Sequence, residues 1–385
     1  MKIAIFTDTF SPQINGVTNT LNRMLRWFSE NEVACVVFAP HYGQGEIASD
    51  TVIRFPSVKF VLYPDCRLAA PNIFRIQSSL NEFKPDIILN MTEFYMGQAG
   101  ISAAKRMGIL AVSNYCTHIP QYLSYYKAEW LKPATWKYMT HFHNKHALTL
   151  CPSQDTKSTL EQVGIHNVSL FSRGIDTERF NRSKRSQTLR DKMGISDRLA
   201  ALYVGRLSVE KDLDVLRDAW IAIKKIHGDK VIMVMAGDGP LAAQYKKEMP
   251  QDTIHTGFQR GEALSELYAS CDFFVFPSST ETFGNVILEA MASGLPVIGA
   301  AAGGVGEIIT HNHDGLVFKA REHEPLIDAI DTLIKRPDMM HRLAKQGLET
   351  ANSRTWNKEF ERLMCHFEKL YSYHSPIELK NDKLA

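Results

Sequence analysis

The sequence predicts an α/β protein that is built from two similar domains, each with a doubly wound parallel sheet. The chain has 385 residues, which is more than a single hydrophobic core usually supports. Short apolar segments alternate with helical patterns, as they do in βα units around a parallel sheet. This alternation stops in the polar stretch 181–194 and then starts again. Together these observations favour two doubly wound domains.

Apolar segments mark the predicted strands of both domains. Those of the first domain lie at 2–7, 33–40, 86–91, 109–115 and 147–153. Those of the second domain lie at 200–206, 231–237, 272–278 and 296–300. Open α/β sheets bind ligands at the carboxyl ends of their strands. The residues that directly follow each strand are therefore the candidates for function.

The polar stretch and the C-terminal pattern set the predicted domain boundaries. We place the first boundary near residue 176, which gives domains 1–176 and 177–355. The C-terminal segment 356–385 is expected to form an amphipathic helix followed by a polar tail. One face of that helix carries Phe360, Leu363, Met364, Phe367 and Leu370.

Composition argues against several classes of protein. The net charge is +2, so a nucleic-acid binder that relies on a large basic surface is disfavoured. The six cysteines are scattered, and His141 and His143 point to different faces of a predicted helix, so neither group indicates a metal site. The N-terminal apolar run is too short for a signal peptide, and 294–309 contains five glycines and Glu307, unlike a membrane span. We expect a cytoplasmic protein.

Two acidic residues stand near the start of a predicted helix in the second domain. In "SSTETFGNVILEAMASG" the helix is expected to begin near Gly284–Asn285 and to end near Gly294. Glu289 then lies in its second turn and Glu281 in the loop before it. Backbone N–H groups at a helix N-terminus favour anions, so this is a candidate ligand site. A carboxylate that simply caps the helix remains the alternative.

Two cations follow the first strand of the second domain. Arg206 and Lys211 flank a short loop at the predicted cleft, which suits a diphosphate. The alternative is that they pair on the surface with Glu210, Asp212 or Asp214.

A turn with Asn15 and Gly16 follows the first strand of the chain. Glycine at this position lets backbone approach a ligand and directs helix N–H groups into the cleft. The alternative is a turn that merely needs glycine. The pattern is not G-x-G-x-x-G, so it does not indicate an NAD site.

Four motifs in order, "VGRLSVEK", "AGDGP", "SSTETFGNVILEAMASG" and "GGVGEII…DGLVF", resemble those of the retaining family 4 glycosyltransferases of the GT-B fold. The first half agrees more loosely, through "PQINGV" and "HNKHALTLCPS". The resemblance covers nearly the whole chain. It implies two Rossmann-like domains that face a central cleft, with the last helix crossing back to the first domain.

The resemblance also implies roles for individual residues. Glu281 would approach the donor sugar, Glu289 would bind the nucleotide ribose, and Arg206 with Lys211 would neutralise the departing diphosphate. No metal and no cofactor besides the nucleotide sugar are implied. The donor-binding positions are then Asn15, Gly16, Arg206, Lys211, Arg260, Phe283, Gly284, Asn285 and Glu289.

The sequence departs from the family at one catalytic position. "YCTHIPQY" resembles the family segment "YHTxFPxY", so the family's histidine, which is thought to steady the sugar, falls on Cys116. An S–H group is a weak hydrogen-bond donor. In an extended loop His118 points the same way as Cys116, and we predict that it supplies the missing contact. The alternative is that His118 packs against Tyr122 or Tyr125.

We therefore expect a retaining hexosyltransferase that uses GDP-mannose or a UDP-hexose and a hydroxyl of a lipid or saccharide acceptor. It would act by same-face displacement without metal. A sugar-nucleotide epimerase, a phosphorylase or a catalytically weak sugar-nucleotide-binding protein remain alternatives on the same fold.

Basic and aromatic residues of the first domain leave peripheral membrane contact open. They would either rest on a lipid surface, at the inner face of the membrane, or be ordinary solvated and half-buried side chains. The residues are Arg23, Arg26, Trp27, Trp130, Lys132, Trp136 and Lys137.

Overall fold

Two parallel sheets with helices around them form the protein, as the computed structural model shows. The structure describes residues 1–13, 15–43, 45–46, 50–59, 67–116, 118–120, 123, 128–281 and 283–374. The predicted α/β class with two Rossmann-like halves is confirmed.

The first sheet has seven strands in the order β3-β2-β1-β6-β7-β8-β9, and its pairs are parallel. Two short antiparallel strands, β4 and β5, form a separate sheet and follow β3 along the chain. The strands of this half are β1 (Lys2–Phe6), β2 (Ala34–Pro40), β3 (Val52–Phe55), β4 (Ser57–Lys59), β5 (Arg67–Ala69), β6 (Ile87–Asn90), β7 (Leu110–Asn114), β8 (Leu148–Cys151) and β9 (Val168–Leu170).

The helices of the first half connect these strands. They are α1 (Gly16–Glu30), α2 (Ile73–Phe83), α3 (Tyr95–Met107), α4 (Lys132–His143) and α5 (Gln154–Gln162). The apolar strands β1 and β6 are fully buried in their central positions, as expected of a sheet covered on both faces.

The second sheet has six strands in the order β12-β11-β10-β13-β14-β15, again parallel. Its strands are β10 (Leu199–Val204), β11 (Val231–Ala236), β12 (Ile254–Gly257), β13 (Phe273–Phe276), β14 (Val297–Ala300) and β15 (Leu316–Phe318). Its helices are α6 (Gln187–Met193), α7 (Leu213–His227), α8 (Ala242–Glu248), α9 (Gly261–Ser270), α10 (Asn285–Ala292), α11 (Gly303–Ile308), α12 (His323–Lys335) and α13 (Pro337–Ser353).

The last helix, α14 (Trp356–His374), returns to the first half. Its residues Phe360, Leu363 and Phe367 are buried in the core that contains β1 and α1. The Phe360 ring centroid lies 5.8 Å from that of Trp27 on α1. The predicted crossover of the C-terminal helix is thus confirmed. Its apolar face, seen in the sequence, is the face that packs.

Every strand predicted from the sequence occurs, with ends shifted by one or two residues. The predicted boundary at residue 176 falls between β9 and β10, the last and first strands of the two sheets. None of the described helices combines the length and the apolar character that a membrane crossing requires.

Candidate functional site

Adjacent strands of the second sheet carry the loops that hold the predicted donor site. β10 pairs directly with β13, so the loops after both strands leave the same edge of the sheet. The Ser279 N–H donates to Asp212 Oδ2 at 2.8 Å, and the Thr280 hydroxyl donates to the Glu210 carbonyl at 2.9 Å. These bonds fasten the two loops together.

This fastening brings Lys211 to Glu281, seventy residues further along the chain. The Lys211 ammonium donates to Glu281 Oε1, and both side chains are mostly buried. Lys211 forms no ion pair with the alternatives Glu210, Asp212 or Asp214 in the described part of the chain. The proposed phosphate cation and the proposed sugar carboxylate therefore form one local unit.

The Arg206 guanidinium lies exposed beside this unit. Its loop packs tightly against the "AGDGP" turn after β11: a methyl group at Gly237 would lie 1.9 Å from the Gly205 carbonyl oxygen. The Leu207 N–H donates to the Asp238 carbonyl at 2.9 Å. Among the described residues, none bonds to the Arg206 guanidinium, so this cation is available to an anion in solution.

The Phe-Gly-Asn turn opens helix α10 as predicted. Gly284 has φ +94°, a left-handed conformation that glycine adopts without strain. Phe283 is buried beneath the turn, and Asn285 is exposed at the first position of the helix. The exposed N–H groups of this turn are free of intrahelical partners by their position.

The "GGVGE" run supports the same loop from the other side. The Gly304 N–H donates to the Glu281 carbonyl at 2.9 Å. A methyl group at Gly303 would approach that carbonyl oxygen to 2.4 Å. These glycines thus allow the close backbone contact that fixes the Glu281 loop.

Glu289 lies in the second turn of α10 and faces Tyr268 of α9. The Tyr268 hydroxyl donates to Glu289 Oε2 at 3.0 Å. Burial raises the pKa of the Glu289 carboxyl to about 7, although the tyrosine hydrogen bond and the charges of Arg179 and Arg23 lower it. The carboxyl is thus held near half-ionisation at neutral pH, and its charge depends on what binds beside it.

Asn15 is the N-cap of α1. Its Oδ1 accepts from the Thr18 N–H at 2.9 Å, and its amide donates to the Thr9 hydroxyl at 2.8 Å. Gly16 follows with no positive φ, and a methyl group on it would meet no atom within 4 Å. Neither backbone conformation nor packing requires glycine there, so the alternative of a turn that needs glycine has no support, and close approach of a ligand stays a prediction.

Cys116 is set between two nitrogen donors. Asn114 Nδ2 donates to its sulfur at 2.8 Å, and Arg173 Nη2 at 3.3 Å. Burial raises the pKa of the Cys116 thiol and outweighs the opposing Arg173 charge. Arg173, on the segment after β9, is itself buried. The protein therefore has a guanidinium beside the position where the family has histidine.

Polar atoms in this neighbourhood are buried without a hydrogen-bond partner among the described residues. They are Glu93 Oε1, Asn114 Oδ1, His143 Nε2 and Arg173 Nη1. Glu93 Oε1 lies 3.7 Å from His143 Nε2, and the Glu93 charge acts on Cys116. Such buried polar atoms usually have a partner. We call these four residues and Cys116 the polar cluster.

Asp8, after β1, completes this edge of the first sheet. It accepts from the Met96 N–H at 2.8 Å and the Thr92 hydroxyl at 2.6 Å. Burial raises the pKa of Asp8 to about 6 against these bonds. Asp8, Glu93 and Arg173 were missed in the sequence. Asp8 and Glu93 come two and three residues after β1 and β6, both predicted strands, and that position is the signal that could have found them; Arg173 follows β9, which the sequence did not predict.

His118 lies in a different environment from Cys116. Its Nδ1 is 3.2 Å from the Tyr115 hydroxyl, and its ring meets that of Trp136 edge-on at 5.6 Å. Burial lowers the pKa of His118, opposed by the Asp155 charge. The structure does not bring His118 to the contacts of Cys116, so its catalytic role stays a prediction. Tyr122 and Tyr125 lie outside the described residues.

The remaining candidates take varied positions. Arg260 is exposed at the end of β12, where α9 begins, and its donor contact stays a prediction. The buried ring of His143 is 2.8 Å from the Ser113 hydroxyl. Nowhere in the described chain do three or more metal-ligating side chains form a group.

Of the possible lipid contacts, Trp27 is buried under α14, whereas Trp130 is 79% exposed.

The two halves touch beside the candidate site. The Glu307 carboxylate, on α11, accepts from the backbone N–H groups of Gln154 and Asp155 at the start of α5. Arg23 of α1, one of the possible lipid contacts, pairs with Asp176 at 3.0 Å. The Glu307 contact joins the two halves, whereas Arg23 and Asp176 both belong to the first.

Known proteins match both halves in order. Residues 14–179 match the model for Glycosyltransferase Family 4, and residues 185–350 match that for Glycosyl transferases group 1. The chain is 32% identical to a GDP-mannose-dependent alpha-mannosyltransferase of Mycobacterium tuberculosis, over 96% of each chain. It is 28% identical to an alpha-monoglucosyldiacylglycerol synthase of Streptococcus pneumoniae, over 93% of this chain and 84% of that protein.

The fold has solved counterparts as well. Alr3699/HepE of Anabaena, in complex with UDP, is similar with a TM-score of 0.77 and 20% identity, over 96% of this chain and 100% of that one. The motifs seen in the sequence, the two doubly wound halves and a relative above 30% identity agree with each other. The chain belongs to the family 4 glycosyltransferases of the GT-B fold and is a glycosyltransferase.

Proposed function

We propose that this enzyme transfers a hexose from GDP-mannose or a UDP-hexose to a hydroxyl of a lipid acceptor, with retention of the α-configuration. The observation that carries the donor half is the Lys211–Glu281 pair, with the exposed Arg206 guanidinium, which bonds to none of the described residues, five residues earlier in the same loop. A diphosphate fits the two cations, and the sugar that it carries fits the carboxylate. A relative named as a GDP-mannose-dependent alpha-mannosyltransferase and another named as an alpha-monoglucosyldiacylglycerol synthase support this pair of substrates.

In the proposed step the acceptor oxygen forms a bond to the anomeric carbon on the face from which the diphosphate departs. The bond between that carbon and the phosphate oxygen breaks, and the hydroxyl proton passes to the departing phosphate oxygen. Arg206 and Lys211 stabilise the charge that develops there. Two cations and the α1 N-terminus at Gly16 supply positive charge, so we propose that the step needs no metal.

Glu289 would hold the nucleotide. A carboxylate accepts hydrogen bonds from both hydroxyls of a ribose, and such charge-assisted bonds are about twice as strong as neutral ones. Tyr268 already orients Glu289 through one oxygen. The Phe283–Gly284–Asn285 turn would contribute N–H groups to the sugar and the phosphate.

Acceptors of the diacylglycerol class would bring the reaction to the inner face of the membrane. The exposed Trp130 indole is a suitable anchor there, since tryptophan favours the water–lipid boundary. We propose peripheral contact through the first domain.

A transfer assay with a panel of nucleotide sugars tests the function. We expect one donor to raise the melting temperature by mass action and to glycosylate dioleoylglycerol or a saccharide. Proton NMR of the product should show the α-anomer. A β-linked product from an α-donor would overturn retention, and activity abolished by EDTA and restored by a divalent ion would overturn metal independence.

Matched variants show which site is responsible. Arg206→Ala should abolish transfer, whereas Lys225→Ala, an exposed cation on α7, should leave it unchanged. Nucleotide release without any acceptor would instead indicate a hydrolysing epimerase. Release of a sugar phosphate that depends on added phosphate would indicate a phosphorylase.

A further inference from the structure

An apolar groove runs along the outside of the first domain between α2 and α3. Its volume is about 460 Å³, within the range of small-molecule sites. One wall is α2, with Ile73 and Ile76, and the floor is α3, where Ala99 and Ala103 recur one turn apart. Because both α3 residues are small, the helix surface is recessed there along its length.

The rim of the groove exposes large apolar side chains. Of the residues that line the groove, Tyr95 is 53% and Ile73 48% exposed, and Phe74, next to Ile73 on α2, is 85% exposed. Single apolar residues on a surface are ordinary, but a group of them around an apolar groove marks a binding site for an apolar partner.

One end of the groove lies next to Glu93 of the polar cluster along the chain. Its inner end is formed by Phe94 and Tyr95, which directly follow Glu93 of the polar cluster. The Tyr138 hydroxyl, also at this end, donates to the Glu93 carbonyl and accepts from Gln98 Nε2 at 3.0 Å. From Tyr95 to Met107 the helix extends about 18 Å at 1.5 Å per residue. A long, thin ligand can therefore have one end near Glu93 and the rest along α3.

We propose that this groove binds an acyl chain of the lipid acceptor and so presents the acceptor hydroxyl to the polar cluster. The inference rests on the proposed lipid acceptor and identifies where its chain lies. A chain without polar groups matches the apolar part of the lining and the course of the groove along α3, while Gln98, Ser102 and Arg106 are polar members of that lining. A polar saccharide would leave the apolar lining without a partner.

A photo-crosslinking experiment tests the groove. The probe is a diacylglycerol whose palmitoyl chain carries a diazirine, presented in detergent micelles to the whole protein. Irradiation followed by peptide mass spectrometry should place the label on α2 and α3. Ala103→Trp and Ala99→Phe fill the groove, while Lys105→Trp places a tryptophan on the exposed side of α3 and serves as the control.

Each methylene kept out of the groove weakens binding about fourfold. We therefore expect at least about tenfold less label in either filled variant and no change in the control. Nucleotide-induced stabilisation, which depends on the second domain, should be unchanged in all three. A filled variant that cannot bind nucleotide has lost its fold, and the other filled variant then decides.

The outcomes separate this inference from the proposed function. Normal labelling or normal transfer in both filled variants would overturn the groove while leaving the transferase intact. Labelling of the groove without transfer to any lipid would support binding of an acyl chain in the groove and would refute the lipid acceptor of the proposed function. Light scattering that shows a dimer lost on Phe74→Ser, with no label on α2 or α3, would assign the surface to a second copy and overturn the proposal.

Discussion

Acidification should weaken nucleotide binding through a single carboxyl group, that of Glu289. Burial raises its pKa to about 7 in the free protein. Only the ionised form offers charge-assisted acceptors to both ribose hydroxyls, so a proton competes with the nucleotide. Lowering the pH through 7 therefore removes the binding form of the site.

The size of the effect follows from that pKa. If only the ionised form binds, the Kd rises about tenfold for each pH unit below about 7. Between pH 8 and pH 5.5 this amounts to about 30-fold. Titration calorimetry with the free nucleoside diphosphate measures it directly.

Two other groups titrate in this range and need controls. The terminal phosphate of the nucleotide has a pKa near 6, so Glu289→Gln measured in parallel gives the ligand's own contribution. Asp8, whose pKa burial raises to about 6, lies in the first domain, and Asp8→Asn should keep the wild-type slope. Glu281→Gln should spare free nucleotide and weaken only the sugar-bearing donor. An equal pH slope in wild type and Glu289→Gln would refute the assignment of Glu289 to the ribose.

The same pKa has a consequence for stability with a defined sign. The folded protein holds the Glu289 proton more tightly than the unfolded chain, where the group has its ordinary value near 4.5. Between these two values the folded state binds more protons, so the free energy of unfolding should fall as the pH rises from about 4.5 to about 7. Glu289→Gln should remove this part of the pH dependence in denaturant titrations.

The other catalytic assignments give shorter tests. Arg206→Ala and Lys211→Ala should each lower kcat by at least about 10²-fold at saturating donor, with the melting temperature unchanged; near-normal turnover in either would refute its role. A large loss of kcat in His118→Ala with a small one in Cys116→Ala supports the predicted exchange of roles, and the reverse result, or none from either, contradicts it. Arg173→Lys, which keeps the charge but not the forked geometry, should lower kcat about tenfold if the guanidinium contacts substrate and leave it unchanged if any cation suffices.

The fold was predictable because buried parallel strands are continuous apolar segments, and these can be seen in the sequence. The strands that gave no such signal are short. β9 and β15 have three residues each, too few to show a period or a distinct composition. Their positions are set by pairing with β8 and β14, which is a tertiary effect.

The site was predictable where local chemistry determines it. Gly284 and Gly294, both with positive φ, bound helix α10 as expected. The contact of Lys211 with Glu281 was not predictable, because it depends on hydrogen bonds between two loops that are far apart in sequence. From motif spacing alone, Lys211 could equally have paired with a neighbouring acidic residue on the surface.

Because β9 was not predicted from the sequence, Arg173 was not recognised as a candidate site residue. Arg173 follows β9, and without β9 nothing marked it as part of the cleft edge. The prediction for His118 assumed an extended loop, but residues 119 and 120 are already helical. Residue 117, which sets the direction of His118 relative to Cys116, lies outside the described residues, so the assumed orientation stays a prediction.

We propose that the polar cluster compensates for cysteine at the position of the family's histidine. A buried guanidinium is costly unless it has hydrogen-bond partners, and Arg173 has a thiol that burial keeps neutral. Its Nη1, together with Glu93 Oε1 and Asn114 Oδ1, has no partner among the described residues. Hydroxyl groups of a sugar both donate and accept, so they can satisfy all three atoms at once. Hydrogen bonds to bound substrate would then offset the free-energy cost of burying Arg173. Several residues together would make the contact that the family's imidazole makes.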